Sequence, residues 1–280
     1  MNSMPTVSAI IVAYDSEELI VRCVRAALDA GVSNVYVWDN SPKLGSVETL
    51  NDFEDQRLVV LSDGKNHGFG GGINRVLERG VTGDLVLLVN PDCFVTTDVV
   101  QELSGLFDDQ RTGIAAPRMM YENGAPGIAG GPFPSLAKEF FAKLRVDEIL
   151  PAAVKRQLLA LFSSKRNGFS LADSMKPGAP ASADWVSGFC MMIRKSVLAE
   201  LDGFDEDYFL YFEDVDICRR ASLAGYDVKL ARNFAALHLE STSTTAVGKS
   251  SHYYKGLSVY LAKHGTFTQT RMARLLGLTK

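Results

Sequence analysis

Apolar and polar positions along the first 121 residues follow two periods in turn. TVSAIIVAY (6–14), NVYVWDN (34–40), RLVVLSD (57–63) and LVLLVNPD (85–92) are short, nearly continuous runs of Val, Ile and Leu. That pattern predicts strands buried on both faces. Between them, SEELIVRCVRAALDAG (16–31), a short piece near SVETLNDF (46–53), INRVLERG (73–80) and TDVVQELSGLFDD (97–109) carry apolar residues at helical spacing. Asp15 with Glu18 predicts a capping box for the first helix, and Gly31 its C-terminal stop. Strands alternating with helices imply an α/β domain around a mostly parallel sheet. Ligands of such sheets gather beyond the carboxyl ends of the strands.

The alternation stops near residue 122. GAPGIAGGPFPS (124–135) and KPGAPASAD (176–184) are Gly/Pro-rich connections. Between them LAKEFFAKLR (136–145) and AAVKRQLLALFSSKR (152–166) read as amphipathic helices. Their basic residues (Lys138, Lys143, Arg145, Lys155, Arg156, Lys165, Arg166) mix with Phe140, Phe141 and Phe162. Two readings fit: a surface for an anionic membrane or acceptor, or a solvated hairpin packed by its apolar stripe. The pattern resumes with a strand at WVSGFCMMIRK (185–195), an aromatic stretch running into FEDVDICRR, and helices near the C-terminus.

Composition narrows the class. The 280 residues are 46% hydrophobic and 22% charged, with a formal net charge of −4. That balance suits a globular protein and supplies no basic field for nucleic acid. Four scattered cysteines without a CxxC read as reduced thiols, as in a cytoplasmic protein. The N-terminal stretch reads as a first strand and not a leader. No run approaches the roughly 18 apolar residues of a membrane span.

Candidate chemistry sits at the strand ends. Tyr14 and Asp15, Asp39 and Asn40, Asp63, and Asn90 with Asp92 would share one polar rim. Each alone suits a turn or cap, but four in succession above an apolar sheet mark a ligand site. Asp92 can hold Mg²⁺ or Mn²⁺ through oxygen, usually together with a substrate's phosphates. His238 could add a neutral imidazole. NHGFGGGIN (66–74) suggests either close backbone approach to a ligand ahead of a helix or close helix–sheet packing. It does not fit the G-x-G-x-x-G dinucleotide fingerprint, and no G-x-x-x-x-G-K-[ST] loop exists. Glu213, Asp214 and Asp216 suit a helix N-terminus. They equally suit a general base beside an apolar wall.

The order of these pieces resembles the family-2 inverting nucleotide-sugar glycosyltransferases of GT-A fold. IIVAYDSEE, VWDNSP, NHGFGGGIN, VNPD, WVSGFCMMIRK, GFDEDYFLYFEDVDICRR and His238 carry the likeness over residues 6 to about 245. NPD and FEDVDICRR are similar to a rhamnosyltransferase-like bacterial branch. The resemblance implies a donor half at 1–121, a helical insertion at 122–184, and a catalytic and acceptor-binding half at 185–280 with C-terminal helices.

It also implies roles. Ala13, Tyr14, Asp39, Asn66, Gly68 and Asn90 would bind the donor. Asp92 and His238 would hold the metal, with Asn90 standing where the family's first acid lies. Asp214 would be the general base, and Trp185, Gly188, Glu213 and Asp216 would meet the acceptor. The expected reaction moves a sugar, with rhamnose from dTDP-rhamnose as first choice and UDP-hexose or UDP-galactofuranose as alternatives. The acceptor would be a glycan, free or on a polyprenyl diphosphate, in bacterial polysaccharide or cell-wall synthesis. Peripheral contact with the cytoplasmic membrane face would run through 136–166. A catalytically weak, nucleotide-binding partner subunit is the alternative of another class. A sugar nucleotidyltransferase is disfavoured, because YDSEELI lacks the glycines and bases those enzymes carry after strand one.

Overall fold

The computed structural model describes residues 5–134, 136, 139, 175–239 and 251–278. The expected alternation is present: β1 (Val7–Ala13), α1 (Glu17–Asp29), β2 (Asn34–Asp39), α2 (Gly45–Leu50), β3 (Leu58–Leu61), α3 (Gly68–Glu78), β4 (Leu85–Val89), a short β5 (Cys93–Phe94) and α4 (Thr97–Leu106). Next come β6 (Thr112–Tyr121), β7 (Pro126–Gly127), β8 (Gly130–Gly131), β9 (Ala181–Ser182), β10 (Trp185–Val186) and β11 (Cys190–Arg194). The chain closes with α5 (Lys195–Glu200), α6 (Glu213–Leu223), β12 (Asp227–His238), α7 (Ser251–His264) and α8 (Phe267–Leu275). Most of the insertion, including all but residues 136 and 139 of its two expected helices and of the expected membrane contact, lies outside the described residues.

One mixed sheet organises the domain, in the order β3-β2-β1-β4-β11-β6-β12-β5. The β1–β4 strands are parallel neighbours, as the apolar runs predicted, but β3 lies at the sheet edge and is half-buried throughout, not covered on both faces. β11 then runs antiparallel to both β4 and β6, while β12 is parallel to β6. The reversal has a consequence for chemistry. Cys190 pairs with Val89, so the amino end of β11 meets the carboxyl end of β4 at one rim. His238 pairs with Tyr121 and Cys93, which brings the end of β12 to that rim too.

The sequence patterns missed the ten-residue β6 and most of the twelve-residue β12. Pro117 and Arg118 interrupt the first, and a register shift between Leu230 and Ala235 interrupts the second. Strand periodicity fails at such bulges. WVSGFCMMIRK is likewise two strands with a break at Ser187–Phe189.

Local geometry corrects two further expectations. No side chain caps α1: Asp15 has φ 46°, and its N–H donates to Ser41 Oγ. Gly31 does end that helix, at φ 90°. The glycines of NHGFGGGIN serve packing. A Cβ on Gly72 would stand 2.8 Å from Val12 Cγ1, and one on Gly70 would stand 3.0 Å from Phe204 Cβ. α3 therefore lies close against β1, β2 and the 204–209 loop because it has no side chains there.

A large core covers both faces of the sheet. A second cluster joins Tyr208, Phe212, Val215, Leu257, Tyr260, Leu261, Ala273 and Leu278, fastening α7 and α8 to the head of α6. All four cysteines are buried and free. Among the described residues no helix is long and apolar enough to cross a membrane.

Candidate active site

The strand-end rim divides into a framed part and an open part. At the end of β2 the Asp39 carboxylate is fully enclosed and accepts N–H groups from Ser41 (2.8 Å), Ser46 (3.0 Å) and Val47 (3.1 Å). Asn40 accepts from Trp38 Nε1–H and the His67 N–H, and donates to the Gly68 carbonyl. Ala13 is buried, and its carbonyl accepts the Asn40 N–H. Gly68, at φ 74°, presses against the Phe209 carbonyl, so any Cβ there would collide.

Three of the six residues expected to contact a donor are therefore enclosed. Ala13, Asp39 and Gly68 shape the rim with hydrogen bonds and packing already made. Tyr14, half exposed at 50%, and Asn66, whose Oδ1 accepts the Gly68 N–H, do reach the surface.

Beyond β4 the chain turns through Asn90-Pro91-Asp92. The Asn90 N–H donates to the Phe189 carbonyl, and the Leu239 N–H donates to the Asp92 carbonyl. The Asp92 side chain is buried, with Oδ1 3.2 Å from His238 Nε2. That separation lacks hydrogen-bond alignment, and both ring nitrogens of His238 are buried without a hydrogen-bond partner. Phe189 packs edge-on against the imidazole at 5.6 Å. An imidazole left unpaired beside a carboxylate is costly unless something fills the gap. The pair fits a divalent ion that takes its remaining ligands from phosphate oxygens and water. No third His, Cys, Asp or Glu joins them among the described residues.

The second acid is held by Gly188, the residue next to Phe189. Asp214, at the head of α6, accepts the Gly188 N–H on Oδ2 (3.2 Å) and the Val215 N–H on Oδ1 (2.8 Å). Gly188 thus orients this carboxylate, a contact that sequence reasoning gave instead to the acceptor. Adjacent residues, Gly188 and Phe189, tie Asp214 to one side of the segment and Asn90 to the other. Asp92 and Asp214, 122 positions apart in the chain, belong to one rim because β11 reverses there.

Burial raises the Asp214 pKa above the ordinary carboxylate range, while its two N–H donors oppose the rise. Its neighbour Glu213 is pushed up to about 8, first by burial and then by the Asp214 charge. Glu213 Oε2 has no hydrogen-bond partner. Of the pair, Glu213 keeps its proton up to about pH 8, and Asp214 is the member that gives its proton up first. The backbone entering the motif is strained, with Tyr211 at φ 70° and Phe212 at φ 75°. Gly256 of α7 abuts the Tyr211 carbonyl and the Phe212 ring, leaving no space for a side chain. The C-terminal helix holds the strained turn in place.

Asp216 has a different task from the one expected. It is 1% exposed, with Oδ2 receiving Arg220 Nε (2.6 Å) and Oδ1 meeting His264 Nε2 (2.6 Å). Arg220 continues to the carbonyls of Leu201 and Gly203. Both Asp216 oxygens are occupied, and it fastens α6 to α7 and the 201–203 turn.

Asp214 opens into a cavity of about 290 Å³ with Trp185, Ser187, Tyr211, Tyr253, Pro132 and Glu139 among its walls. Trp185 Nε1–H donates to the Pro132 carbonyl, which fixes the ring. Tyr253 of α7 donates its hydroxyl to Glu139 Oε2 at 3.0 Å. Neither Glu139 nor Tyr253 was singled out from sequence. An acid within a basic insertion and a tyrosine on a terminal helix carry no motif. Asp92 does not line this cavity; its link to Asp214 runs through Gly188–Phe189. Two larger cavities, of about 510 Å³ beside α3 and α5 and about 440 Å³ beside the C-terminal end of α6, hold neither acid.

Comparison with known proteins gives the family and the fold. The glycosyl transferase family 2 model matches residues 8–157, and the glycosyl transferase family group 2 model matches 152–278. The low-salt glycan biosynthesis hexosyltransferase Agl10 of Haloferax volcanii is 25% identical over 267 residues, 94% of this chain and 77% of its own. The N-acetylglucosaminyl-diphospho-decaprenol L-rhamnosyltransferase of Mycobacterium tuberculosis is 25% identical over 221 residues, 72% of this chain and 66% of its own. A crystal structure of GalNAc-T7 with UDP, GalNAc and Mn²⁺ superposes on the whole chain with a TM-score of 0.64 at 11% identity, the chain spanning 56% of its length. That likeness supports the GT-A fold. With the family model covering more than half of its length, the chain belongs to glycosyl transferase family 2 and is a glycosyltransferase.

Proposed function

We propose that the chain moves one sugar from a nucleoside-diphosphate donor to a hydroxyl of a glycan acceptor, with inversion at the anomeric carbon. The observation that carries this reading is the Gly188–Phe189 segment. It holds a base in an aromatic-walled cavity on one side and a carboxylate–imidazole pair on the other. The donor half is 1–121 and the acceptor half 185–280, with the 122–184 insertion contributing Pro132 and Glu139 to the acceptor cavity.

Asp214 takes the proton from the acceptor hydroxyl as that oxygen attacks the face opposite the leaving diphosphate. A carboxylate so placed contributes roughly 10²–10⁴-fold. The Gly188 and Val215 N–H groups aim it and favour its ionised form against the effect of burial. Protonated Glu213 spares it a second buried negative charge. The fixed Trp185 ring offers an apolar face to a pyranose, and the cavity volume suits one sugar ring better than a chain. Tyr14, Asn66 and Asn90 are the donor contacts the rim leaves available; Ala13, Asp39 and Gly68 hold that rim in shape. Asp92 and His238 would hold Mg²⁺ or Mn²⁺, which supplies positive charge against the departing diphosphate.

L-Rhamnose from dTDP-rhamnose is the preferred donor, and a polyprenyl-diphosphate-linked sugar the preferred acceptor. The name of the Mycobacterium tuberculosis relative supports the rhamnose and the lipid-diphosphate-linked acceptor. A UDP-hexose donor is the second reading, and the hexosyltransferase name of the Haloferax relative supports the hexose.

Thermal shift with dTDP, UDP and their sugars, with and without Mn²⁺, tests the donor site. Binding to the folded form raises the melting temperature. The expected result is a Mn²⁺-dependent shift with one nucleotide that Asp92→Ala or His238→Ala abolishes without lowering the unliganded Tm by more than a few degrees. No shift with either nucleotide, or one that survives both substitutions, overturns the donor and metal assignments.

A further inference from the structure

We propose that α8 is a docking surface for an anionic lipid bilayer. It places membrane contact at the C-terminal helix and not at 136–166, and it holds whichever sugar is transferred.

The helix is well formed. Thr266 and Gln269 close a capping box at its start. At about 100° per residue, Phe267, Arg271, Arg274 and Leu275 fall within one sector of about 100°. Ala273 lies opposite and is buried against the cluster that includes Leu257, Tyr260 and Leu261 of α7. The outward sector stays bare: Phe267 is 80% and Leu275 75% exposed, with Met272 beside them at 48%. Three of the nine large apolar residues exposed among those described thus sit on one nine-residue helix.

Charge decides the occupant. From Gly265 to Lys280 there is no aspartate or glutamate, while Arg271, Arg274 and Lys280 are basic. Several surface cations elsewhere are matched: Arg57 with Asp55, Arg75 with Glu78, Arg111 with Asp227, Lys229 with Asp109 and Lys263 with Asp205. Arg271 and Arg274 have no carboxylate partner among the described residues. Two apolar anchors flanking two unpaired guanidiniums, about 12 Å apart along the axis, suit a plane of anionic headgroups over acyl chains. A second copy of this chain fits less well, because a self-complementary contact would set these arginines against one another. The same α7 that carries α8 contributes Tyr253 to the cavity at Asp214, so the proposed surface and the cavity share one support.

Co-sedimentation of the full chain with vesicles tests this without any sugar substrate. Binding is expected to phosphatidylcholine vesicles containing phosphatidylglycerol, to weaken with salt, and to be absent from pure phosphatidylcholine. Each arginine removed, in Arg271→Ala and Arg274→Ala, should weaken binding roughly fivefold. Phe267→Ser with Leu275→Ser should weaken it at least about tenfold. Leu223→Ser, at another leucine 70% exposed, should leave it unchanged. Circular dichroism and Tm verify that each variant folds. Equal sedimentation of all variants overturns the proposal. So does binding lost only in Lys155→Glu with Arg156→Glu, or a dimer that the Phe267/Leu275 variant dissolves while no vesicle binds. Vesicle binding without nucleotide-dependent thermal shifts would leave this surface standing and remove the donor assignment instead.

Discussion

Asp39 and Asp214 are aspartates on the same rim, and the fold treats them in opposite ways. Asp39 receives three backbone N–H groups and has no exposed surface, so its charge is fully answered within the protein. Asp214 receives two, stands at a cavity, and lies beside a glutamate that burial keeps protonated. An enclosed carboxylate that already accepts three backbone N–H groups holds loops in place. One left with spare capacity, a raised pKa and a strained approach is equipped to accept a proton. The difference follows from the elements involved. β2 runs into a turn and α2, whose N–H groups converge on Asp39. At the head of α6, Tyr211 and Phe212 at positive φ aim Asp214 at the cavity.

The comparison breaks most sharply at Asp214. Asp214→Asn keeps the shape and removes the base, and transfer should fall roughly 10²–10⁴-fold. Steady-state kinetics should place that loss in kcat while the donor's binding, read by thermal shift, stays unchanged. A variant retaining full turnover would move the base elsewhere.

Asp39→Ala should do the reverse. It strands three N–H groups at the end of β2 and should cost about 3 kcal/mol of stability, because each buried donor without a partner is expensive. Urea denaturation measures this. Activity lost with stability intact would mean that Asp39 touches the donor directly, against its enclosure here.

Glu213→Gln sharpens the contrast through pH. An unfolded glutamate ionises near 4.5, whereas Glu213 keeps its proton up to about 8. The native state therefore binds more protons than the unfolded chain between those values, and stability falls as pH rises through that window. Glutamine removes the dependence. Relative to wild type, the variant should gain nothing at low pH, gain progressively toward about pH 8, and level off above it. Denaturation curves with a constant difference across that range would remove the protonated Glu213 from the site.

The smallest effect probes the frame at Gly72. A methyl group there meets Val12 at 2.8 Å and Trp38 at 3.1 Å, so Gly72→Ala should cost about 1–3 kcal/mol by overpacking. Transfer measured well below the melting temperature should change little. A selective loss of donor affinity would give the glycines the ligand role that sequence left open.

Legibility from sequence tracked how local the physics is. β1, β2 and β4 and their helices were readable because Val, Ile and Leu runs report burial on both faces directly, while the same kind of run in β3 sits half-buried at the sheet edge. β6 and β12 were not, because Pro117 and the shift after Leu230 interrupt the period by which strands are recognised. At the site, Asp92, Asp214 and His238 stood out as chemical types at strand and helix ends. Asp216 looked equivalent to Asp214, since nothing in FEDVDIC shows which carboxylate meets Arg220 and His264. Glu139 and Tyr253 carried no signal, since each matters only through what lies across the cavity.

The sequence by itself determined the α/β class, the parallel first half, the family and the residue types available to a glycosyl transfer. Those properties rest on side chains and their near neighbours. The tertiary structure alone decided which acid is free. The reversal of β11, the fit of Gly256 under a strained turn, and the backbone donors around each carboxylate are contacts between residues far apart in the chain. A carboxylate's proton affinity and reach are set by those distant partners, and no local pattern records them.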